Sequence, residues 1–346
     1  MTVIDGLTCI TRKGQFKVGD LAVYVPIEAM LPMDRSPFKE LGLKTDRAVY
    51  RVKAIKLRGT YSEGLLIPLN TGVVGHNMAS EWGITKYEEP EPAFSVNGTK
   101  GAQQDRDLDW APKYDLDNFL KNRWVIPEGT DVVVTEKIHG CNGRFTYGPD
   151  HLGETRLLVG SHNQWKRPLY TEPKFWRQVK KMVNRFTTSL GAGARFAEEQ
   201  PVNNDVWWTV AKRLDLAAKL KRYPRLVFYG EVYGSVQDLK YSVPTNERVR
   251  LKIFDVYDAN ARRWLNTDEV HTLCQALELE MVPVLFTGRY VQEIVDPLRH
   301  GLSIVDGVTM REGFVIRPRQ PGGVDKLAYK YVSEEYKLRK AGSEFH

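Results

Sequence analysis

The sequence predicts an α+β protein made of a small β-rich domain followed by a larger domain of mixed strands and helices. Three observations predict it. Over residues 1–85, short β-branched and aromatic runs are separated by Gly and Pro turns, with no helical periodicity of useful length. A polar stretch rich in Pro, Gly, Gln and Asp then interrupts the pattern over 86–112, which reads as a linker. Over 113–341, apolar strands alternate with segments of helical period. A chain of 346 residues, 42% of them hydrophobic, can bury the cores of two such domains.

In the first domain, strands are expected at 21–25, after the turn Val18-Gly19-Asp20, at 49–57, where apolar and polar residues alternate, and at 64–68. Arg47, Arg51, Lys53, Lys56 and Arg58 crowd the middle strand. This pattern has two readings: a solvated strand face, or the basic face of a small OB-like barrel that follows a phosphate backbone. A five-strand OB barrel is one strand more than the four or so placed here. Because the chain starts almost inside its first strand, at Val3, the expectation is that the barrel has further residues upstream.

In the second domain, strands are expected at 131–136, 156–160, 225–232, 248–257 and 313–317. Helices are expected at 115–122, 173–190, 203–222, 267–279 and 333–340. No internal repeat is visible.

Composition narrows the function classes. There is no run of about 18 apolar residues and no basic-then-apolar leader, so neither a membrane span nor secretion is expected. The three cysteines, Cys9, Cys141 and Cys274, are too few and too scattered for a disulfide framework or a zinc knuckle. A reducing, intracellular and cytoplasmic setting fits. A net charge of +7 favours an acidic partner, nucleic acid first among them. The pattern Gly-x4-Gly-Lys-Ser/Thr is absent, as are a strand-associated Gly-x-Gly-x-x-Gly and His-Glu-x-x-His, so a bound nucleotide would be held without a P-loop.

Five segments stand out in order. Lys137 ends the β-branched run that begins at Val132 and precedes Ile138-His139-Gly140; a lysine there can be a surface charge or a nucleophile. Glu231 lies between glycines in Tyr229-Gly230-Glu231-Val232-Tyr233-Gly234. Phe254 and Asp255 stand side by side in a strand, Glu312 precedes another, and Lys330 falls on a late one.

The ordered set resembles the covalent nucleotidyltransferase superfamily of ATP-dependent ligases and capping enzymes. That superfamily carries Lys-x-Asp/His-Gly, then Gly-Glu, Phe/Tyr-Asp, Glu-Gly and lysine strands. Glu136-Lys137-Ile138-His139-Gly140-Cys141-Asn142 is similar to the matching segment of RNA ligases of the RNA ligase 2 type. The segments at 19–28, 51–59 and 237–241 resemble RNA ligase family 5, which places an OB domain before the catalytic one. The fold implied is an antiparallel-sheet, ATP-grasp-like nucleotidyltransferase domain behind an OB-like barrel.

The resemblance implies an ATP-dependent RNA ligase acting as a monomer on RNA, at a nicked duplex or at RNA/DNA ends. Its alternatives are a DNA ligase, a GTP-dependent capping-type enzyme, or an inactive nucleic-acid-binding protein with a ligase fold. Lys137 would attack the α-phosphate of ATP. A free lysine has a pKa of about 10.4, and nearby cationic charge raises the reactive amine fraction. Lys330 would contact the α-phosphate, and His139 would orient the metal–pyrophosphate geometry. Glu231 and Glu312 would serve Mg2+ or Mn2+, which bind hard oxygen donors and keep several waters. Glu136 would select adenine and Phe254 would stack on it. Asp255 would be either architectural or catalytic, and Arg144 a phosphate contact.

Two positions depart from the pattern. Relatives carry Lys-x-Lys on the last strand, where this chain has Ala328, so Lys326, on the same strand face, is expected to reach the phosphates instead. His162 stands where relatives place a 5′-phosphate arginine. Either protonated His162 or one of Arg144, Lys166 and Arg167 would supply that contact. Arg51, Lys53, Lys56 and Arg58 would bind the nucleic acid.

Overall fold

The computed structural model describes residues 2–4, 7–43, 47–57, 59–87, 104–105, 108–166, 206–244, 247–320 and 323–339. The helix expected at 173–190 and the residues Arg58 and Arg167 lie outside them.

The catalytic part is built on two sheets. The larger has seven antiparallel strands in the order Gln104–Asp105, Trp165–Lys166, Thr155–Ser161, Cys141–Pro149, Leu226–Gly234, Val249–Asp258 and Arg263–Trp264. The second has five, in the order Asp117–Asn118, Tyr329–Val332, Gly313–Pro318, Asp131–Lys137 and Val284–Arg289. Its only parallel pair joins Asp117–Asn118 to Tyr329–Val332.

The helices Val206–Arg213 and Leu216–Leu220 pack on the larger sheet, burying Trp207, Val210, Leu216 and Leu220 against Phe145, Phe228 and Val256. The helix Thr267–Ala276 begins at a capping box in which Asn266 and Glu269 satisfy each other's backbone donors. The second core joins Val132, Val134, Phe314 and Ile316, alternate residues of paired strands, to Phe119 and Tyr331.

The five expected strands of this part form, as does the late strand of Lys330, Tyr329–Val332, and two further long strands appear beside four of two residues each. Cys141–Pro149 is Gly- and Asn-containing and polar at its start, so it carries a weak strand signal. Val284–Arg289 is short and only half-buried. The helix expected at 115–122 does not form. Asp117–Asn118 pairs with Tyr329 and Lys330, and the amide of Phe119 donates to the carbonyl of Lys330 at 2.8 Å. The Asn118 side chain then starts a 3-10 turn, Leu120–Val125, by accepting from the amide of Leu120. Tertiary pairing overrides local helical period here.

The N-terminal part folds as small paired strands around Val25, Leu31, Phe38, Val52 and Ile67. Ala22–Pro26 pairs with Gly64–Pro68, and Ala29–Pro32 pairs with both Val49–Arg51 and Thr85–Lys86. The expected strand at 49–57 is broken. Val52 turns in to exchange backbone bonds with Glu28 and Ala29, and Ile55–Leu57 forms a separate hairpin with Thr60–Ser62.

Candidate active site

The chain crosses from one catalytic sheet to the other at Lys137. The strand Asp131–Lys137 belongs to the five-stranded sheet and Cys141–Pro149 to the seven-stranded one, so Ile138, His139 and Gly140 make the crossing. Gly140 is required there, since a Cβ would sit 2.3 Å from the carbonyl oxygen of Val232. The same holds at Gly313, which pairs with Lys137 and whose Cβ would lie 2.1 Å from the Tyr331 carbonyl oxygen. Close backbone approach thus packs the Lys137, Glu312 and Lys330 strands together at one end of the sheet.

Lys137, His139, Glu231, Glu312 and Lys330 all line one cavity of about 1080 Å3. Its opposite wall comes from the N-terminal part, including Tyr24, Glu28, His76 and Lys86. Lys137 Nζ lies 2.5 Å from Glu312 Oε1, with side chains 25% and 8% exposed. Glu231 stands opposite Asn142 across the sheet, and Lys330 opposite Val315. Burial first, and then the charges of Lys137 and Lys86, push the Lys330 ammonium below the usual lysine range.

His139 is held at both ring nitrogens. Nε2 lies 3.0 Å from Asp238 Oδ1, Nδ1 lies 2.6 Å from the Tyr336 hydroxyl, and Glu312 Oε2 is 3.8 Å from Nδ1. Its backbone amide donates to the Tyr241 hydroxyl at 2.9 Å.

The other expected residues sit elsewhere. Glu136, next to Lys137 in the chain, is buried, its carboxylate accepting from the Ser303 hydroxyl and the Ile304 amide; burial raises its pKa. Phe254 is half-buried, its ring 4.7 Å from that of Tyr114. Asp255 is an architectural group, accepting from Arg317 and the Tyr114 hydroxyl, both at 3.0 Å.

Arg144 is interior, donating to the Ser161 carbonyl at 2.8 Å with its guanidinium 4.5 Å from the Trp165 ring centroid. Lys166 lies over Trp207, and His162, 3.6 Å from Asp115, has its pKa lowered by burial. Lys326 does not project into the cavity. Its ammonium lies 3.2 Å from the Tyr114 ring centroid and donates to the Asp115 carbonyl.

In the N-terminal part, Arg51 is not on an open basic face. It pairs with Glu28 and stacks 3.4 Å from the Tyr87 ring centroid, its side chain 9% exposed. Lys53 is half-buried and Lys56 exposed.

Asp238, Tyr336 and Lys86 were not expected from the sequence. The segment 237–241 was visible as a likeness, but nothing in it pointed to an aspartate facing His139. Tyr336 and Lys86 carry no local signal, since each reaches the site through tertiary packing.

Among the described residues, no three His, Cys, Asp or Glu side chains cluster as a metal cage. Glu231 and Glu312 fit an ion held by one or two carboxylates together with waters and substrate phosphates, as Mg2+ commonly is.

A β-rich N-terminal unit is thus paired with a two-sheet domain whose cavity is lined by Lys137 and Lys330. The RNA ligase family profile matches residues 130–332 of the 346, and the chain belongs to that family. An OB-fold domain profile matches residues 1–69. No curated protein sequence matches the chain significantly.

Among solved structures, a variant of Naegleria gruberi RNA ligase with ATP and Mn is 23% identical, with a TM-score of 0.71, over 99% of this chain and 92% of that one. An apo variant of that ligase is 23% identical, with a TM-score of 0.71, over 96% and 90%. Its complex with PPi is 24% identical, with a TM-score of 0.70, over 96% and 90%. These likenesses establish the shared fold. No described helix is long and apolar enough to cross a membrane.

Proposed function

We propose that this RNA ligase uses ATP to join 3′-hydroxyl and 5′-phosphate ends through a lysyl-AMP formed on Lys137. The convergence of Lys137, Lys330, Glu231, Glu312 and His139 on one cavity carries the reading. In the first step the Lys137 amine attacks the α-phosphorus of ATP, a P–N bond forms, and pyrophosphate leaves. AMP then passes to an RNA 5′-phosphate. Finally a 3′-hydroxyl attacks that activated phosphate and AMP departs. The reading takes a nick with RNA on the 3′-hydroxyl side as substrate, with the N-terminal domain holding that strand.

The residues divide the work. Glu312 holds the Lys137 ammonium in place and is positioned to accept its proton. Lys330 supplies positive charge where the α-phosphate must sit; phosphoryl transfer depends chiefly on such positioning and charge neutralisation. Glu231 and Glu312 would hold Mg2+ or Mn2+, which would supply neutralisation of phosphate charge. His139 orients this end of the site. Glu136 and Phe254 are assigned to the adenine, which requires Ser303 and Ile304 to release the Glu136 carboxylate.

The test is incubation with α-labelled ATP and Mg2+ or Mn2+, followed by a denaturing gel. Label on the wild type and none on Lys137→Ala is expected. Transfer from GTP but not ATP would overturn the reading.

A further inference from the structure

The last described segment of the chain touches three separate parts of the molecule within four residues. Tyr336 bonds His139 at 2.6 Å through its hydroxyl. Lys337 forms an ion pair with Glu63, which belongs to the N-terminal part. Arg339 donates to Asp238 Oδ2 at 2.8 Å and stacks 4.2 Å from the Tyr336 ring centroid. Asp238 in turn holds the other ring nitrogen of His139 at 3.0 Å.

The segment has little freedom. Ser333 caps the short helix Glu334–Lys337, accepting from the Tyr336 amide, while its own amide donates to the Glu312 carbonyl at 2.8 Å. His139 and Tyr336 are each 3% exposed, and Lys337 and Glu63 are each 7% exposed. Separating the two domains would break the Lys337–Glu63 pair and return both side chains to water. The seated N-terminal domain therefore supplies the ion pair that holds the Lys337 side chain. Tyr336, one residue earlier, keeps its place with it.

We propose that Tyr336 is a positioning residue for nucleotide transfer, and that 336–339 is a clasp tying the seating of the N-terminal domain to the orientation of His139. This rests on Lys137 being the nucleophile. Seating the domain fixes Lys337, the helix fixes Tyr336, and Tyr336 with Asp238 fixes the imidazole. The imidazole faces the same Glu312 that pairs with Lys137. A domain that grips nucleic acid would thereby change how well the lysine is presented, without touching it.

The experiment uses the full-length protein, with thermal melts to confirm folding. The rate of Lys137 labelling from α-labelled ATP is measured across ATP concentrations for wild type, Tyr336→Phe, Lys337→Met and the double variant. Tyr336→Phe is expected to lower the maximal rate about tenfold, as loss of one buried hydrogen bond at the site allows. Half-saturation by ATP should stay within about twofold, the signature of a residue that acts through His139 rather than on ATP.

Lys337→Met is expected to slow charging similarly, and the double variant no further than the worse single one, the non-additivity of residues acting as a unit. Exchanging the charges with Glu63→Lys and Lys337→Glu together should recover much of the rate lost in Lys337→Glu alone. Wild-type charging in Tyr336→Phe, or losses that multiply in the double variant, would overturn the clasp. A folded wild type that takes no label removes the lysyl-AMP reading instead. The clasp is then judged on the nitrogen NMR shifts of His139 in histidine-labelled protein, assigned with His139→Gln. Those shifts must move in Lys337→Met, and unmoved signals sink it.

Discussion

Glu312 is tied to Lys137 by geometry and to the proposed metal by chemistry, so changing it touches both. Glu312→Gln keeps the shape but removes the charge that pairs with Lys137. Labelling by ATP should fall by about 100-fold or more, the scale of losing a group that accepts the nucleophile's proton. The variant should remain folded, and its ATP-labelling rate against wild type checks the first expectation. Labelling within a few-fold of wild type would remove Glu312 from the reaction.

Lys326 tests the opposite idea, that a lysine four positions before the motif lysine Lys330 acts structurally. Burial, resisted by the charge of Asp255, pushes its ammonium down to about 8. The unfolded chain holds that proton up to about pH 10.4, so between about 8 and 10.4 it binds more protons than the native state. Stability from this group therefore rises with pH across that window, and its penalty is complete below about 8. Urea unfolding of wild type and Lys326→Met at about pH 7 and pH 9.5 should show the wild type gaining on the variant at the higher pH. An unchanged difference would mean that Lys326 titrates as an ordinary lysine.

The elements differ in how far the sequence discloses them. Asp131–Lys137 and Val249–Asp258 announce themselves because β-branched and aromatic residues recur at strand spacing. Cys141–Pro149 hides because Asn142, Gly143 and Gly148 dilute the pattern, although the strand lies between two others and is the centre of the larger sheet. Residues 115–122 mislead because the period is local while the deciding bonds, to Lys330, come from more than 200 residues away. Motif residues on strands were therefore readable in the sequence. His139's partners were not, since Asp238 and Tyr336 meet it only in three dimensions.

The crossing at Gly140 is where element geometry is least forgiving. Gly140→Ala would place a methyl carbon 2.3 Å from the Val232 carbonyl, which belongs to a paired strand and cannot move alone. A loss of about 2–4 kcal/mol is expected, in the range of strongly destabilising single changes. Lys137 charging should also slow. A denaturant midpoint equal to that of wild type would show that the crossing relaxes at no cost.

At the scale of the whole molecule, the N-terminal domain forms one wall of the catalytic cavity, so its charges act either on RNA or on its own fold. The basic strand read from sequence contains both kinds. Arg51 is committed to Glu28 and Tyr87, whereas Lys56 is exposed on its hairpin. A lysine that neutralises one phosphate releases about one counterion, so removing it flattens the slope of log binding constant against log salt by about 0.7–0.9. Lys56→Ala should therefore weaken binding to a nicked RNA duplex and flatten that slope without moving the melting temperature. Arg51→Ala should do the reverse, lowering the melting temperature because Glu28 loses its partner and the Tyr87 ring its cover, while the slope stays near that of wild type. Binding measured by fluorescence anisotropy over a salt series, beside thermal melts of the same proteins, distinguishes the two. If Arg51→Ala changed the slope as much as Lys56→Ala, the Arg51–Glu28 pair would have to open when RNA binds, and the domain would grip the strand through its inner wall rather than its hairpin.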